Sequence, residues 1–504
     1  MSGIAMGWNH AHPEKVETMF RKIAHRGPYL SGMKTVGNAV LAQNYVRADT
    51  AGAAPDANVP FSDGKDNLTL CYDGQIGNWR ELAARYDVED GPFREERLLL
   101  ALYRRHGEDM LNKLDDAIFC LVITDGSQLM AARDLLGIKT LFYAGDQDAL
   151  YLATELKSIL AVSSDVYEFP AGQFMDKSGR FRPFSALPET PPDQTGEDIE
   201  AICENVRRII QKSFDAHVDF SNRTGALLSG GMDSSVISLL AAEKAKVKGG
   251  GGPLRTYAIG VGESSDILNG RIMAEFIGSD HQEMYIGIEE IIAALPEVIY
   301  FLEHFDPSLV RSSVANFLIS KKAREEGIEV LLSGEGGDEV FCGYDYLKRF
   351  SPGEMFSKQM QCLGYLHNNA ALRLDRMNYS HSIRVVTPLI SGELLQYALT
   401  IPPELKIQTA GEEKIEKWIF RKAYESLLPE VITWRYKQEF SQGSGSADLL
   451  PDFFEEEVSD QTLKGAQASF PNIRSKEEAY YFNIFKDHFG AGKAAETVGQ
   501  WPLL

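Results

Sequence analysis

Short apolar runs separated by polar turn residues follow one another between residues 38 and 155, and this spacing is typical of β-strands. The predicted strands are 38–46, 67–72, 117–124, 128–132, 140–144 and 150–154. Helical periodicity occurs over 95–106, where Leu98, Leu99, Leu102 and Tyr103 share one face. The pattern therefore predicts a sheet-rich domain with a few helices.

A Pro- and Gly-rich segment at 169–196 marks a change of pattern, and we place a linker at 181–197. A capped helix is predicted over 197–216. Strands predicted at 224–228, 254–259 and 281–286 then alternate with helices that begin near Ser234 and Asn269. This alternation predicts a doubly wound parallel sheet, and the chain is mostly helical after about Ser351. The predicted domains are 1–180 and 198–504, in an α/β fold.

The composition is that of a globular protein long enough for two domains, with 504 residues, of which 44% are hydrophobic and 24% charged. No apolar run reaches the roughly 18 residues of a membrane span, and the N-terminus lacks a signal-peptide pattern. The five cysteines are scattered without a CxxC pair, which argues against zinc and disulfides and predicts a cytoplasmic protein. The formal net charge of −21 disfavours nucleic acid as a partner.

The segment 225–235, Gly-Ala-Leu-Leu-Ser-Gly-Gly-Met-Asp-Ser-Ser, joins an apolar strand to an apolar helix. Glycines allow a tight turn, and the helix N-terminus supplies free N–H donors to an anion. The predicted phosphate-binding residues are Ser229, Gly230, Gly231, Asp233, Ser234 and Ser235. A carboxylate in such a cradle would repel phosphate unless it binds a cation, so Asp233 is a candidate Mg²⁺ ligand. The alternative is a Gly-Ser turn with an Asp N-cap.

A second loop, 333–339 (Ser-Gly-Glu-Gly-Gly-Asp-Glu), follows the apolar residues 330–332. It has the character of a loop at the carboxyl end of a parallel strand, where open α/β sheets bind ligands. Asp338 would be a second Mg²⁺ ligand across from Asp233, and Glu335 a general base towards an attacking amine. The alternative is an acidic turn with an N-cap.

These two loops, together with 434–443 (Trp-Arg-Tyr-Lys-Gln-Glu-Phe-Ser-Gln-Gly), resemble the asparagine synthetases and, more broadly, the N-type ATP pyrophosphatases. The resemblance implies that ATP is cleaved to AMP and pyrophosphate through an acyl-adenylate. It also implies that Lys437 supports the adenylate and the pyrophosphate. It also implies that adenine lies near Leu228, Ile259 and Gly334, with Ser333 in the same site. The related β-lactam synthetases carry Tyr at the position of Glu335, so an intermolecular amine is favoured over ring closure.

Segment 303–317 resembles the aspartate-recognition region of that family. Arg311 and Ser308 are candidate substrate contacts, because a guanidinium binds a carboxylate through two hydrogen bonds. Asp266, predicted to lie in a loop, is a third candidate; for Arg311 the alternative is a salt bridge on a helix face. The family pattern RVPFLD is here 384–391, Arg-Val-Val-Thr-Pro-Leu-Ile-Ser, and the lost terminal Asp bears on the acceptor side of the site.

The first 160 residues resemble a class II glutamine amidotransferase domain, which implies an Ntn-type αββα sandwich. The resemblance rests on segments 25–28 (HRGP), 72–78 (YDGQIGN), 132–137 (ARDLLG) and 153–157 (ATELK). Such domains hydrolyse glutamine with an N-terminal Cys whose own amine is the base.

The catalytic positions of that domain are altered. Position 2 is Ser, a far weaker nucleophile than Cys, and the family's Asn-Gly-Glu is Asp73-Gly74-Gln75. An ionised Asp73 would repel a developing oxyanion. Glu95 aligns with the residue that holds the glutamine amine, and Arg47 aligns loosely with the one that holds its carboxylate. We therefore expect a degenerate glutaminase; a working or engineered-dead glutaminase is the alternative.

The resemblance as a whole implies an ATP- and Mg²⁺-dependent ligase that joins an aspartate-like carboxylate to ammonia or another amine. Three alternatives stay open: a glutamine-dependent asparagine synthetase, a specialised natural-product amide synthetase, and a catalytically inert nucleotide-binding partner protein. The partners expected are small molecules and neither nucleic acid nor membrane. Because members of the family are often dimers, a homodimer is also implied.

Overall fold

The computed structural model describes residues 2–50, 52–54, 57–114, 116–145, 149–176, 178–248, 252–411, 413–437 and 440–500. Gln438 and Glu439 of the predicted lysine segment lie outside the described residues. No helix in the described part of the chain is both long and apolar enough to cross a bilayer.

The first region contains two antiparallel sheets between helices. Its strands are β1 (Ser2–Trp8), β2 (Leu30–Val36), β3 (Ala39–Tyr45), β4 (Thr69–Ile76), β5 (Ala117–Thr124), β6 (Leu129–Arg133), β7 (Phe142–Gly145), β8 (Leu150–Ala153), β9 (Tyr167–Glu168), β10 (Gln173–Met175) and β11 (Phe181–Pro183). Its helices are α1 (Pro13–Arg21), α2 (Trp79–Tyr86), α3 (Arg94–His106) and α4 (Leu156–Leu160). The strand orders are β2-β3-β1-β8-β7-β9 and β11-β10-β6-β5-β4.

Alternation along the strands explains this layering. Ile4 and Met6 of β1 pack between the sheets against Cys71 and Val122, whereas Ala5 between them faces α1 and α4. Helices α2 and α3 cover the outer face of the second sheet. The result is the expected αββα sandwich.

The second region is built on a five-stranded parallel sheet of order β14-β13-β12-β15-β16. Its strands are β12 (Thr224–Leu227), β13 (Arg255–Gly260), β14 (Asp280–Tyr285), β15 (Val330–Leu332) and β16 (Arg384–Val386), and a hairpin adds β17 (Gln408–Ala410) and β18 (Glu413–Ile415). The helices up to the last strand of the sheet are α5 (Ile199–His217), α6 (Met232–Lys248), α7 (Ser265–Ile277), α8 (Ile288–Leu302), α9 (Pro307–Glu325), α10 (Gly337–Phe341), α11 (Pro352–Tyr365) and α12 (Ala370–Tyr379). The remaining helices are α13 (Gly392–Thr400), α14 (Pro403–Lys406), α15 (Trp418–Tyr424), α16 (Glu430–Thr433), α17 (Phe440–Gly443), α18 (Ser446–Glu457), α19 (Asp460–Ser469), α20 (Lys476–Phe489) and α21 (Lys493–Glu496).

The α/β class and the parallel sheet are thus confirmed, and the structure also departs from the pattern at several elements. Strands β1 and β2 and helix α1 were not predicted; β1 is buried along almost its whole length, so it lacks the alternation that reveals a half-exposed strand. The Pro-rich segment contains β10 and β11. Asp266 lies in the first turn of α7 and not in a loop.

Candidate active site

The phosphate loop connects β12 to α6. Gly230 adopts a φ of +65°, and a Cβ there would lie 2.2 Å from the backbone carbon of Asn269, so the turn requires glycine. The loop and the first turn of α6 line a cavity at the carboxyl end of the sheet. Predicted nucleotide residues that line it are Leu228, Ser229, Gly231, Asp233, Ser234, Ile259, Ser333 and Gly334. Ser235 is fully buried and does not line the cavity.

The second loop lies directly against the first, because β15 pairs with β12 in parallel. A Cβ on Gly334 would lie 2.4 Å from the backbone carbon of Asp233, and one on Gly337 would lie 2.2 Å from Asp233 Oδ1. Only glycines allow two loops to approach so closely. The carboxylates of Asp233 and Asp338 therefore reach the same place in the cavity.

Two lysine ammonium groups lie against these carboxylates. Lys417 Nζ contacts an Asp233 oxygen and lies 2.7 Å from Asp338 Oδ1. Lys437 Nζ lies 2.9 Å from Asp338 Oδ2. The Lys417 side chain is only 1% exposed, so its charge acts in a poorly solvated place. Two positive charges are thus held beside the phosphate loop.

Burial and these ion pairs shift the pKa values in opposite directions. Burial raises the pKa of Asp233, although Lys417 opposes this. Burial also disfavours ionisation of Asp338, but Lys417 and Lys437 together hold its pKa well below the usual range. Burial disfavours the charge on Lys437, yet Asp338 and Asp233 raise the pKa of Lys437 above its ordinary value. Asp338 is therefore the carboxylate most strongly held in the ionised form.

The carboxylate pair fits a hard cation such as Mg²⁺, which prefers oxygen ligands. Asp233 Oδ1 is buried and has no hydrogen-bond partner among the described residues. An ionised buried oxygen without a donor is unfavourable unless a ligand completes it. Asp233 and Asp338 could hold the ion, in the region where Lys417 now supplies the neutralising charge.

The other end of the cavity is lined by α9 and α12. Ser308, Ser312 and Asn316 follow one another along the inward face of α9 at a spacing of four residues. Across from them, Glu335 Oε2 accepts a hydrogen bond of 2.5 Å from Arg373 Nη2, on α12. This end thus offers hydroxyl, amide, guanidinium and carboxylate groups to a polar substrate.

Asp266 also lines the cavity, where Arg435 Nη2 lies 3.4 Å from its Oδ1. Burial raises the pKa of Asp266 to about 6, although Arg435 opposes the change. Arg311 does not line the cavity. Its guanidinium donates two hydrogen bonds to Glu477 of α20. The salt bridge left open as the alternative for Arg311 is what the structure contains.

The predicted glutaminase residues are divided between two places. Ser2 is fully buried, with its hydroxyl donating to Tyr72 O at 2.7 Å and its backbone N–H donating to Asp73 Oδ1 at 3.0 Å. Asp73 is also buried and lies 3.1 Å from Arg26 Nη2. Both groups are therefore engaged within the protein interior.

Arg47, Gly74 and Glu95 instead line a separate open cavity between the two regions. Arg47 is 67% exposed and lies 3.7 Å from Glu329 Oε1, and Glu95 accepts a hydrogen bond from the Tyr72 hydroxyl at 2.6 Å. Burial raises the pKa of Glu95 despite that hydrogen bond. The cavity reaches Gly74 but neither Ser2 nor Asp73.

Two departures from the family pattern meet in a third cavity. Gln75 and Ser391 both line it, between β4 and the start of α13. Ser391 is the N-cap of α13 and accepts a hydrogen bond from Leu394 N–H. None of residues 384–391, all of which the structure describes, lines the first cavity. An effect of this departure on the acceptor side stays a prediction, and the segment would have to act from outside the first cavity.

Sequence reasoning missed Lys417, Arg373, Ser312 and Asn316. Lys417 stands in 414–423, KIEKWIFRKA, a segment that resembles the family, and this was the signal for it. Arg373 had no such signal, because it meets Glu335 only through the packing of α12.

Comparison with known proteins gives a consistent result over the chain. The asparagine synthase family model matches residues 205–361 and 349–495, and the glutamine amidotransferase domain model matches residues 1–178. The chain is 31% identical to asparagine synthetase B [glutamine-hydrolyzing] of Escherichia coli K12, over 97% of this chain and 91% of that protein. It is also 31% identical to the asparagine synthetases [glutamine-hydrolyzing] of Gallus gallus, over 95% and 92%, and Saccharomyces cerevisiae, over 98% and 93%.

Proposed function

The chain belongs to the asparagine synthetase family, and from that premise we propose that it adenylates aspartate or an aspartate-like amino acid and transfers the acyl group to ammonia or another amine, without using glutamine. It is an ATP-dependent, AMP-forming carbon–nitrogen ligase. The observation that carries the proposal is the contrast between its two candidate sites. The first cavity contains two carboxylates and two lysine ammonium groups beside the glycine loops, whereas Ser2 and Asp73 occupy the family's catalytic Cys and Asn positions.

In the first step, a carboxylate oxygen of the substrate attacks the α-phosphorus of ATP and pyrophosphate leaves. Lys417 and Lys437 lie where they can stabilise the negative charge that moves onto the leaving phosphates. The amides of the phosphate loop and the N-terminus of α6 bind the same anion. A Mg²⁺ ion held by Asp233 and Asp338 would supply further charge neutralisation when bound.

In the second step, the amine nitrogen attacks the acyl carbon, AMP leaves, and one proton of the nitrogen must be removed. Glu335 is the candidate group to take up that proton, since it lines the end of the cavity formed by α9 and α12. Its hydrogen bond from Arg373 keeps it oriented across from α9. Ser308 and Asp266 line the same cavity and are proposed substrate contacts.

The residues at the catalytic positions of the N-terminal region support a reaction without glutamine. Serine is a far weaker nucleophile than cysteine, and the Ser2 hydroxyl already donates to the backbone carbonyl of Tyr72. An oxyanion formed beside it would meet the carboxylate of Asp73. Glutamine hydrolysis is therefore disfavoured twice, by the weak nucleophile and by the charge of Asp73.

The test is pyrophosphate release from ATP with Mg²⁺ and L-aspartate, comparing ammonium, L-glutamine and a panel of amines. We expect turnover with ammonium or another amine and none with glutamine. The variant Ser2→Cys supplies a stronger nucleophile beside the same Asp73 carboxylate, and we expect it to remain without glutaminase activity. Glutamine-supported turnover by the wild type would contradict the degeneracy, and failure of aspartate with every donor would contradict the proposed substrate.

A further inference from the structure

A group of buried charged side chains joins the N-terminal region to α8 and α12. Among the described residues it contains four cations and four carboxylates, which we call the ionic cluster: Arg26, Lys139, Lys157, Arg376, Asp73, Glu155, Glu303 and Asp375. Each of these side chains is at most 3% exposed. Isolated charges cannot be buried in this way without partners.

Arg26 is the centre of the cluster. Its Nη1 lies 2.7 Å from Asp375 Oδ2 and 3.0 Å from Glu155 Oε1, and its Nη2 lies 3.1 Å from both Asp375 Oδ1 and Asp73 Oδ2. Lys139 Nζ lies 3.3 Å from Asp375 Oδ1 and 3.7 Å from Asp73 Oδ1. One carboxylate of α12 is thus held by two cations of the N-terminal region.

Among the described residues, the four cations of the cluster meet four carboxylates only because residue 73 is an aspartate. Burial disfavours ionisation of Asp375, yet Arg26 and Lys139 hold its pKa well below the usual range. Burial lowers the pKa of His25 despite its contact with Glu155, so His25 adds no charge. With the Asn of the family pattern at position 73, four cations would face three carboxylates, and a buried charge would be left over. This accounts for a departure that catalysis does not explain.

Helix α12 connects the cluster to the cavity. Asp375 faces the N-terminal region, whereas Arg373, two residues earlier, lines the first cavity and donates to Glu335. Residues two apart point to different sides of a helix. A shift of α12 towards or away from the cluster must therefore move Arg373 relative to Glu335.

We propose that the N-terminal region positions α12 through the ionic cluster, with Arg26 and Asp73 as positioning residues for the amide-forming step. The former glutaminase position would then serve the synthetase site as a fixed support. The inference rests on the proposed function only for the assignment of Glu335 to the amine step.

Three variants test it: Asp73→Asn, Asp73→Asn with Lys139→Met, and Asp176→Asn as the control. The double variant restores charge balance with three cations against three carboxylates. Asp176 is likewise buried in the N-terminal region and paired with Arg182 at 2.8 Å, but it lies in the turn between β10 and β11, and the described partners of its carboxylate are Ser178, Arg180 and Arg182. The measurements are ATP–pyrophosphate exchange, amide formation with ammonium, and thermal unfolding.

For Asp73→Asn we expect amide formed per pyrophosphate released to fall on the order of tenfold, because a small misplacement of reacting groups is costly. The KM for ATP should change by no more than about twofold, since neither Arg26 nor Asp73 lines the first cavity. The double variant should regain most of the ratio, and Asp176→Asn should keep the wild-type ratio even where it lowers the melting temperature.

An unchanged ratio in Asp73→Asn, or equal loss in the double variant, would overturn the proposal. Loss of exchange and amide formation in proportion to folded protein would indicate a purely structural role and also overturn it. If Asp73→Asn does not fold, the single variant Lys139→Met, which leaves the opposite excess charge, is compared with the folded double variant. Failure of the proposed function is separable, because a wild type that uses glutamine contradicts that function without affecting these ratios.

Discussion

Replacing Lys417 with Met tests the charge arrangement at the centre of the site. At 2.7 Å from Asp338 Oδ1, the attraction is on the order of 6 kcal/mol for an effective dielectric constant of about 20. Desolvation of the charges offsets part of this gain, and removal of one partner of a buried ion pair typically costs about 3–5 kcal/mol. Because the Lys417 side chain is 1% exposed, water cannot replace it easily. We expect the Lys417→Met variant to lose about 3–5 kcal/mol of unfolding free energy without Mg²⁺.

The same variant should respond more strongly to Mg²⁺ than the wild type. With Lys417 absent, Asp338 would keep Lys437 as a cationic neighbour, but Asp233 and Asp338 would repel each other more strongly, and a divalent cation would relieve that repulsion. A free Mg²⁺ concentration about 100 times the Kd raises the free energy of unfolding by about 2.7 kcal/mol. Urea denaturation with and without Mg²⁺ measures both effects, and Lys422→Met, on the exposed side of α15, is the matched control. Equal stability of variant and wild type without Mg²⁺, or an equal Mg²⁺ response, would refute the reasoning.

Three further predictions concern single positions. Burial raises the pKa of Asp266 to about 6, so the folded protein binds a proton at Asp266 more tightly than the unfolded chain does. The free energy of unfolding that this proton contributes is fully present below pH about 4 and is lost as the pH rises through 6. Asp266→Asn should therefore be about 1–3 kcal/mol more stable than the wild type at pH 7 and equal to it below pH 4, as measured by denaturation across pH. Gly337→Ala places a Cβ 2.2 Å from Asp233 Oδ1. It should reduce the rate of ATP–pyrophosphate exchange by on the order of 100-fold. Circular dichroism would check that the variant stays folded. Arg311→Gln removes the bonds to Glu477 and should lower the unfolding free energy by about 2 kcal/mol, with the KM for the carboxylate substrate unchanged in steady-state assays.

Features carried by continuous stretches of chain were predictable from the sequence. The strand, glycine turn and helix around Asp233 depend on neighbouring residues, and so does the corresponding arrangement around Asp338. Parallel strands place their following loops at one edge of a sheet, so the meeting of these loops also followed from the pattern. Five predicted strands of the first region agree with the structure to within about two residues at each end, which is the usual uncertainty of element boundaries.

The ion-pair partners of single charged side chains depended on contacts between distant parts of the chain. Arg311 was predicted to bind substrate, but α20 brings Glu477 to it from 166 residues away. From the sequence alone, Asp73 is interpreted only as an altered residue of the glutaminase site.

In the structure, Asp73 shares Arg26 with Asp375, and Arg26 and Asp375 are 349 positions apart. Hydrophobic periodicity shows which face of an element is buried but not which residue it meets. Thus the sequence alone determined the fold class, the two glycine loops at one edge of the sheet and membership of the family. Tertiary packing decided which charges are paired, because ion pairs between distant segments exist only once the helices that carry them are placed.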